Sequence, residues 1–253
     1  MQPLCPDMMQ TCLNPLKKPL NFTDNFGDVR MSKYKYAFFD MDGTLSNSRE
    51  GIFKCTEYAF KKLGVPIDNS YESLRRVIGP PLVWAYHTYF GLSEEDARRA
   101  TDLYRERYSR EGLFEMELYD GVKEALQTLS DTGIKMAVVS AKPQEYIERI
   151  IPHFGLDKFF EFTSCASKKD TDTSKSHLIQ RAIDYFDIKD LTDAVMVGDT
   201  KYDLDSAAEI GIDGIGVSYG FGDREEIEKC ANVFIAEKII DAAKFIIGKT
   251  SDN

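Results

Sequence analysis

Between residues 34 and 219 short apolar runs recur, each closed by polar residues or glycine: YKYAFFD (34–40), IKMAVVS (134–140), FFEFTSC (159–165), DAVMVGD (193–199) and DGIGVSY (213–219). Runs such as AVVS and AVMVGD do not alternate apolar with polar residues, the pattern of strands buried on both faces of a parallel sheet. Between them lie stretches of helical period, GVKEALQTLSDTG (121–133), PQEYIERIIPHFG (143–155), SKSHLIQRAIDYF (174–186) and DLDSAAEIG (203–211). Gly133, Gly155 and Gly211 fall where helix ends favour a residue tolerant of left-handed backbone. Strand and helix in this alternation predict an α/β fold, a doubly wound parallel sheet with right-handed crossovers.

The rhythm breaks between 50 and 118. That stretch reads as helical throughout, with no apolar run suited to a buried strand, and Ser93 followed by Glu94, Glu95 and Asp96 makes a helix start with acid at the positive dipole end. The expected organisation is an α/β core from 31–49 and 119–253, interrupted by a second, smaller, all-helical domain over 50–118. Residues 1–30 hold four of the nine prolines without helical or strand period, and are expected to be a disordered tail. They contain no apolar core of the ~7–15 residues that a signal peptide needs. No stretch approaches the ~18 apolar residues of a membrane span.

A formal net charge of −10 disfavours nucleic acid or an anionic membrane as a partner. The five cysteines, at 5, 12, 55, 165 and 230, fit no zinc spacing, so free thiols in a reducing cytoplasm are expected.

In open α/β sheets ligands bind beyond the carboxyl ends of the strands. Here the first strand ends at Asp40 and Asp42, the second at Ser140 with Lys142 just after, and the fourth at Asp199 with Asp203 following; Lys175 opens the helix before that strand. Carboxylates, a hydroxyl and an ammonium thus converge on one edge, a set that fits phosphoryl chemistry. A hard Mg²⁺ ion takes carboxylate or carbonyl oxygens and neutralises a phosphate so that an anion can approach it. One aspartate can attack phosphorus, and a carboxyl two residues on can protonate the leaving oxygen and later activate water. Ser140 and Lys175 can hold the phosphoryl oxygens, where transition-state charge spreads.

The segments DMDGTLSNS (40–48), Ser140, Lys175 and GDTKYDLDSA (198–207) resemble, in order, the four motifs of the haloacid dehalogenase (HAD) superfamily. The resemblance spans 34–248, with the helical insertion as a cap after the first motif. Within the superfamily the chain is most similar to the phosphoglycolate phosphatase and nucleotide 5′-phosphatase group, through IGPPL (78–82) and GLFEMELYDGV (112–122). The resemblance implies a Mg²⁺-dependent phosphomonoesterase acting on a small phosphorylated metabolite through an aspartyl-phosphate. It makes Asp40 the nucleophile and a metal ligand, Asp42 the general acid/base with its backbone carbonyl on the metal, and Asp199 a direct ligand. Asp203 supports from behind, and Ser140, Lys175 and Thr44 bind phosphate.

Two departures stand out: Ala141 replaces a frequent asparagine, and KSHL lacks the usual proline, which leaves Lys168 and Lys169 as rivals to Lys175. Lys142 reads either as a salt-bridge partner or as a ligand. In the cap, Gly79, Pro80 and Arg76 are candidates for substrate discrimination. The alternatives are a sugar phosphomutase of the same fold and an inactive relative serving as a binding module. Asp42 disfavours a dehalogenase, and the filled catalytic positions disfavour the inactive relative.

Overall fold

The computed structural model describes residues 34–68, 70–167, 170 and 172–248; the expected N-terminal tail lies outside them. In chain order β1 (Tyr36–Phe39), β2 (Ser46–Asn47) and α1 (Arg49–Leu63) are followed by α2 (Tyr71–Leu74), α3 (Leu82–Phe90), α4 (Glu94–Tyr108) and β3 (Glu117–Leu118). Then come α5 (Val122–Asp131), β4 (Lys135–Pro143), α6 (Gln144–His153), β5 (Phe162–Ala166) and α7 (Lys175–Phe186). The chain closes with β6 (Ala194–Gly198), α8 (Lys201–Ile210), β7 (Asp213–Val217), α9 (Arg224–Lys229), β8 (Phe234–Ala236) and α10 (Ile239–Ile246).

Six strands form one parallel sheet in the order β5-β4-β1-β6-β7-β8. β1 is the switch point: Tyr36 pairs with Lys135 on one side and Ala194 on the other, and the sheet grows outward from it in both directions. Side chains along each strand alternate between two cores. Ala37, Phe39, Met136, Val138, Val195 and Val197 pack with α5, α6 and α10. Phe38, Ala137, Val139 and Met196 pack with α7 and α8. Both faces are covered, which is why the sequence runs lack alternation.

The helical stretch leaves and rejoins the core through β2 and β3, an antiparallel pair matching Ser46 to Leu118 and Asn47 to Glu117. α1 buries Ile52, Cys55, Thr56, Ala59 and Phe60, a single helical stripe facing α4 and α3. α4 begins as its sequence requires, with Ser93 Oγ accepting from the Asp96 amide at 3.0 Å. The backbones of α1 and residues 112–115 approach so closely that a Cβ on Gly51 would lie 2.1 Å from the Gly112 carbonyl oxygen.

Three readings change. β3 lies inside the stretch expected to lack strands, because a two-residue ladder has no period to detect. The third strand starts at Phe162 rather than 159, since 159–161 form the turn into it. α9, β8 and α10 extend the sheet and its cover beyond the last run identified from sequence.

Candidate active site

Asp40 follows β1 directly, its amide donating to the Val197 carbonyl at 3.0 Å, so the sheet fixes its backbone. The chain then turns through Gly43, whose φ of +88° favours glycine and whose amide donates to the Ser46 carbonyl at 2.8 Å. The turn carries Asp42 to the rim. Asp199 follows β6, and Asp203 lies in the first turn of α8. Ser140 and Lys142 lie in the last residues of β4, where the pairing with β5 shifts register. Lys175 is the first residue of α7.

These positions converge. Lys175 Nζ donates to Asp40 Oδ1 at 2.7 Å and to the Val139 carbonyl at 3.2 Å, and lies 2.8 Å from Asp203 Oδ1. Asp203 Oδ2 accepts from Thr200 Oγ1 at 2.7 Å and its amide at 3.1 Å, so this carboxylate both caps α8 and anchors Lys175. Lys142 Nζ donates to Asp42 Oδ2 at 2.6 Å, which favours the salt-bridge reading of that lysine. Ser140 is buried; its Oγ accepts from the Lys142 amide at 3.3 Å, leaving the hydroxyl proton free to donate.

Asp40, Asp199 and Asp203 each offer an oxygen within 4.8 Å of the others, and all three are buried. Burial, with the charges of Asp203 and Asp42, pushes the Asp40 carboxyl up to about 6 even though Lys175 pulls it down. Burial, Asp203 and Asp40 push Asp199 up to about 7. Burial opposes the charge on Lys175, but Asp203 and Asp40 outweigh it and hold the ammonium well above the ordinary lysine value. With all four carboxyls ionised, the two ammoniums leave two negative charges to be compensated. The donors at the triad are all hard oxygens, without sulfur or nitrogen. That donor set fits Mg²⁺.

Thr44, expected on the phosphate, is fully buried, and its hydroxyl donates to Asp199 Oδ1 at 3.1 Å. It orients a carboxylate. The side chain of Asp42 is turned to Lys142 and the triad is completed by Asp203, so any hold of Asp42 on a metal falls to its backbone. Arg76 lies within the helical insert, its guanidinium 5.7 Å from the centre of the Tyr89 ring, and Gly79 and Pro80 form the turn before α3. Among the described residues no hydrogen bond or ion pair ties these three to the carboxylates. Lys168 and Lys169 lie outside the described residues.

The sequence reading overlooked the loop after β7. Amides of Phe221 and Gly222 donate to Asp199 Oδ2 at 2.8 and 3.3 Å, and Tyr219 donates its hydroxyl to the Thr44 carbonyl at 2.8 Å. A Cβ on Gly220 would lie 2.3 Å from Asp199 Cβ, and one on Gly222 1.8 Å from the Asp199 carbonyl oxygen. The signal was present as YGFGD, two glycines at a strand end, where backbone must pass close to something.

The family model described as haloacid dehalogenase-like hydrolase matches residues 37–217. The chain belongs to this family. Among curated relatives of this HAD protein, a 5′-nucleotidase of Pseudomonas aeruginosa is 32% identical over 83% of this chain and 97% of its own. The tyrosine-protein kinase PtkA of Mycobacterium tuberculosis is 32% identical over 78% of this chain and 66% of its own. A phosphoglycolate phosphatase of Vibrio parahaemolyticus is 27% identical over 84% of this chain and 96% of its own. A haloacid dehalogenase-like hydrolase structure from Streptococcus pneumoniae superposes with a TM-score of 0.78 at 27% identity, covering 85% of this chain and 99% of that one. Among the described residues of the HAD protein, no helix is long and apolar enough to cross a membrane.

Proposed function

We propose that this HAD protein is a Mg²⁺-dependent phosphatase that hydrolyses small phosphomonoesters through an aspartyl-phosphate on Asp40. The observation that carries this reading is the meeting of Lys175 with Asp40 and Asp203 beside Asp199, in a buried cluster at the switch point of the sheet. Asp40, Asp199 and the backbone of Asp42 would hold the ion, which when bound offsets phosphate charge and polarises the phosphoryl group.

The chain's own groups do the rest. Lys175 fixes one oxygen of Asp40, so the other can face phosphorus in line with the ester oxygen. The Ser140 hydroxyl and the Lys175 ammonium donate to phosphoryl oxygens as charge spreads onto them. Asp42 gives a proton to the leaving oxygen, and then takes one from the water that attacks the aspartyl-phosphate. We assign the core to 31–49 and 119–253 and the cap to 50–118, with the cap closing over the leaving group. The names of the relatives support nucleoside monophosphates and phosphoglycolate as first substrates to try.

Phosphate release from a panel of nucleoside 5′-monophosphates, phosphoglycolate and sugar phosphates, with and without Mg²⁺, tests the reading. Asp40→Asn is expected to remove at least about 10³-fold of the activity with the fold intact by circular dichroism. Absence of Mg²⁺-dependent release from every monoester, including p-nitrophenyl phosphate, would sink it.

A further inference from the structure

Asp42 has different company from the other three carboxylates. Its Oδ2 takes the Lys142 ammonium at 2.6 Å, and that lysine side chain is only 6% exposed. The ring of Tyr108 covers the lysine, its centre 5.1 Å from Nζ. Tyr108 is the last residue of α4, in the helical insert. Its ring also stacks on Tyr104 at 5.2 Å and meets Tyr146 of α6 edge-on at 5.2 Å. Three separate parts of the molecule therefore meet at one ammonium: the loop after β1, the end of β4 and the insert.

One buried polar atom at this junction, Asp42 Oδ1, has no hydrogen-bond partner among the described residues, whereas the Tyr108 hydroxyl interacts with the Lys142 ammonium. Unpartnered buried oxygens are costly unless something else uses them. Lys142 occupies Oδ2 of Asp42, which prevents the carboxyl from carrying its proton there and from rotating. Oδ1 is left as the atom able to exchange a proton.

We propose that Lys142, sheltered by Tyr108, is the positioning residue that presents Asp42 Oδ1 to the leaving oxygen, so that seating of the insert on the core sets up acid catalysis. This rests on the phosphatase reading above. In the step concerned, an Asp40 oxygen bonds to phosphorus as the phosphorus–oxygen ester bond breaks. The electron pair of that bond stays on the leaving oxygen, which takes the proton from Asp42 Oδ1. Asp42 is left as a carboxylate against the ammonium of Lys142. Withdrawing the Tyr108 ring admits water to Lys142, and water then competes with Asp42 for the ammonium.

The test compares kcat/KM, which reports on steps through phosphoryl transfer to the enzyme, for two leaving groups. Glycerol 2-phosphate releases an alkoxide that must be protonated; p-nitrophenyl phosphate releases a phenolate that need not be. Lys142→Met is expected to lower kcat/KM for glycerol 2-phosphate at least about tenfold more than for p-nitrophenyl phosphate, with Lys142→Arg recovering part of the difference. Tyr108→Phe keeps the covering ring and loses only the hydroxyl beside Lys142, so it should shift the ratio less than Tyr108→Ala, which should shift it about fivefold in the same direction.

Equal losses on both substrates in folded Lys142→Met, or no loss on either, would overturn the proposal. If that variant does not fold, identical ratios for Tyr108→Ala and Tyr108→Phe overturn it instead. The phosphatase reading fails by different results: wild-type protein inert toward every monoester of the panel above as well as these two, or Asp42→Asn showing no selective loss on the alkyl phosphate.

Discussion

At Asp40 and Asp199 a proton would compete with the Mg²⁺ proposed above for the same oxygens. Both carboxyls hold protons more tightly in the folded chain than at the ordinary aspartate value of 3.8, Asp40 up to about 6 and Asp199 up to about 7. Folding therefore gains from these protons at low pH, and the gain is lost as pH rises from about 4 through about 7. Metal-free protein should lose stability across that window. Mg²⁺ should raise the melting temperature more at about pH 8, where no proton must be expelled, than at about pH 5. Thermal melts with Mg²⁺ or EDTA at the two pH values decide this, and equal stabilisation at both would remove Asp40 and Asp199 from the metal site. Asp40 and Asp199 were legible in the sequence because each ends an apolar run, where a carboxylate has no packing role, and Asp42 because it follows Asp40 by two residues. Thr44 was legible as a site residue, but its partner was not. A hydroxyl gives no clue in sequence as to which oxygen it will serve, and Asp199 lies far along the chain. Lys142 stayed ambiguous for the same reason, since the carboxylate it meets comes from the loop after β1.

Among the elements up to β7, the periodic ones could be read and the two-residue strands could not, and α9, β8 and α10 beyond them went unread. The five core runs and the helices between them carry enough residues to show a period. β2 and β3 hold two residues each and β8 three, too few for any period, and they become strands only because tertiary contacts bring partners alongside. Yet β2 and β3 are the two links between core and insert, and α1 begins immediately after the first. The approach of Gly51 to the Gly112 carbonyl locks that junction, with the Gly51 amide donating to the Glu115 carbonyl at 2.8 Å. Arg107 ties the same place from α4, reaching Glu115 Oε2 at 2.6 Å, and Lys54 reaches its Oε1 at 3.1 Å. Gly51→Ala is a good substitution by helix propensity but forces these backbones apart. It is expected to cost about 1–3 kcal/mol and to lower the melting temperature by roughly 5 °C, measured by calorimetry. A variant as stable as wild type would show that the junction yields freely.

On the scale of the whole molecule, β1 is the centre of the sheet but stands near the start of the chain. Its partners Lys135 and Ala194 come about 100 and about 160 residues after Tyr36. A ribosome adding about 5–20 residues per second leaves YAFF without its second neighbour for about 8–30 s. α1, α3 and α4 need not wait, because their mutual packing is complete by residue 108. Stalled nascent chains ending near residue 150, which clear 49–108 from the ribosomal tunnel but leave β4 inside it, are expected to protect 49–108 from protease while residues 34–40 stay cleavable; simultaneous protection of both would contradict this order. An insert that folds first would bring Ser46 next to Leu118 while the sheet is still absent, shortening the excursion that β1 must close to reach β4. The segment proposed to close over the substrate would then act during synthesis as a clip, and a chain with that segment deleted should emerge from the ribosome more dependent on chaperones.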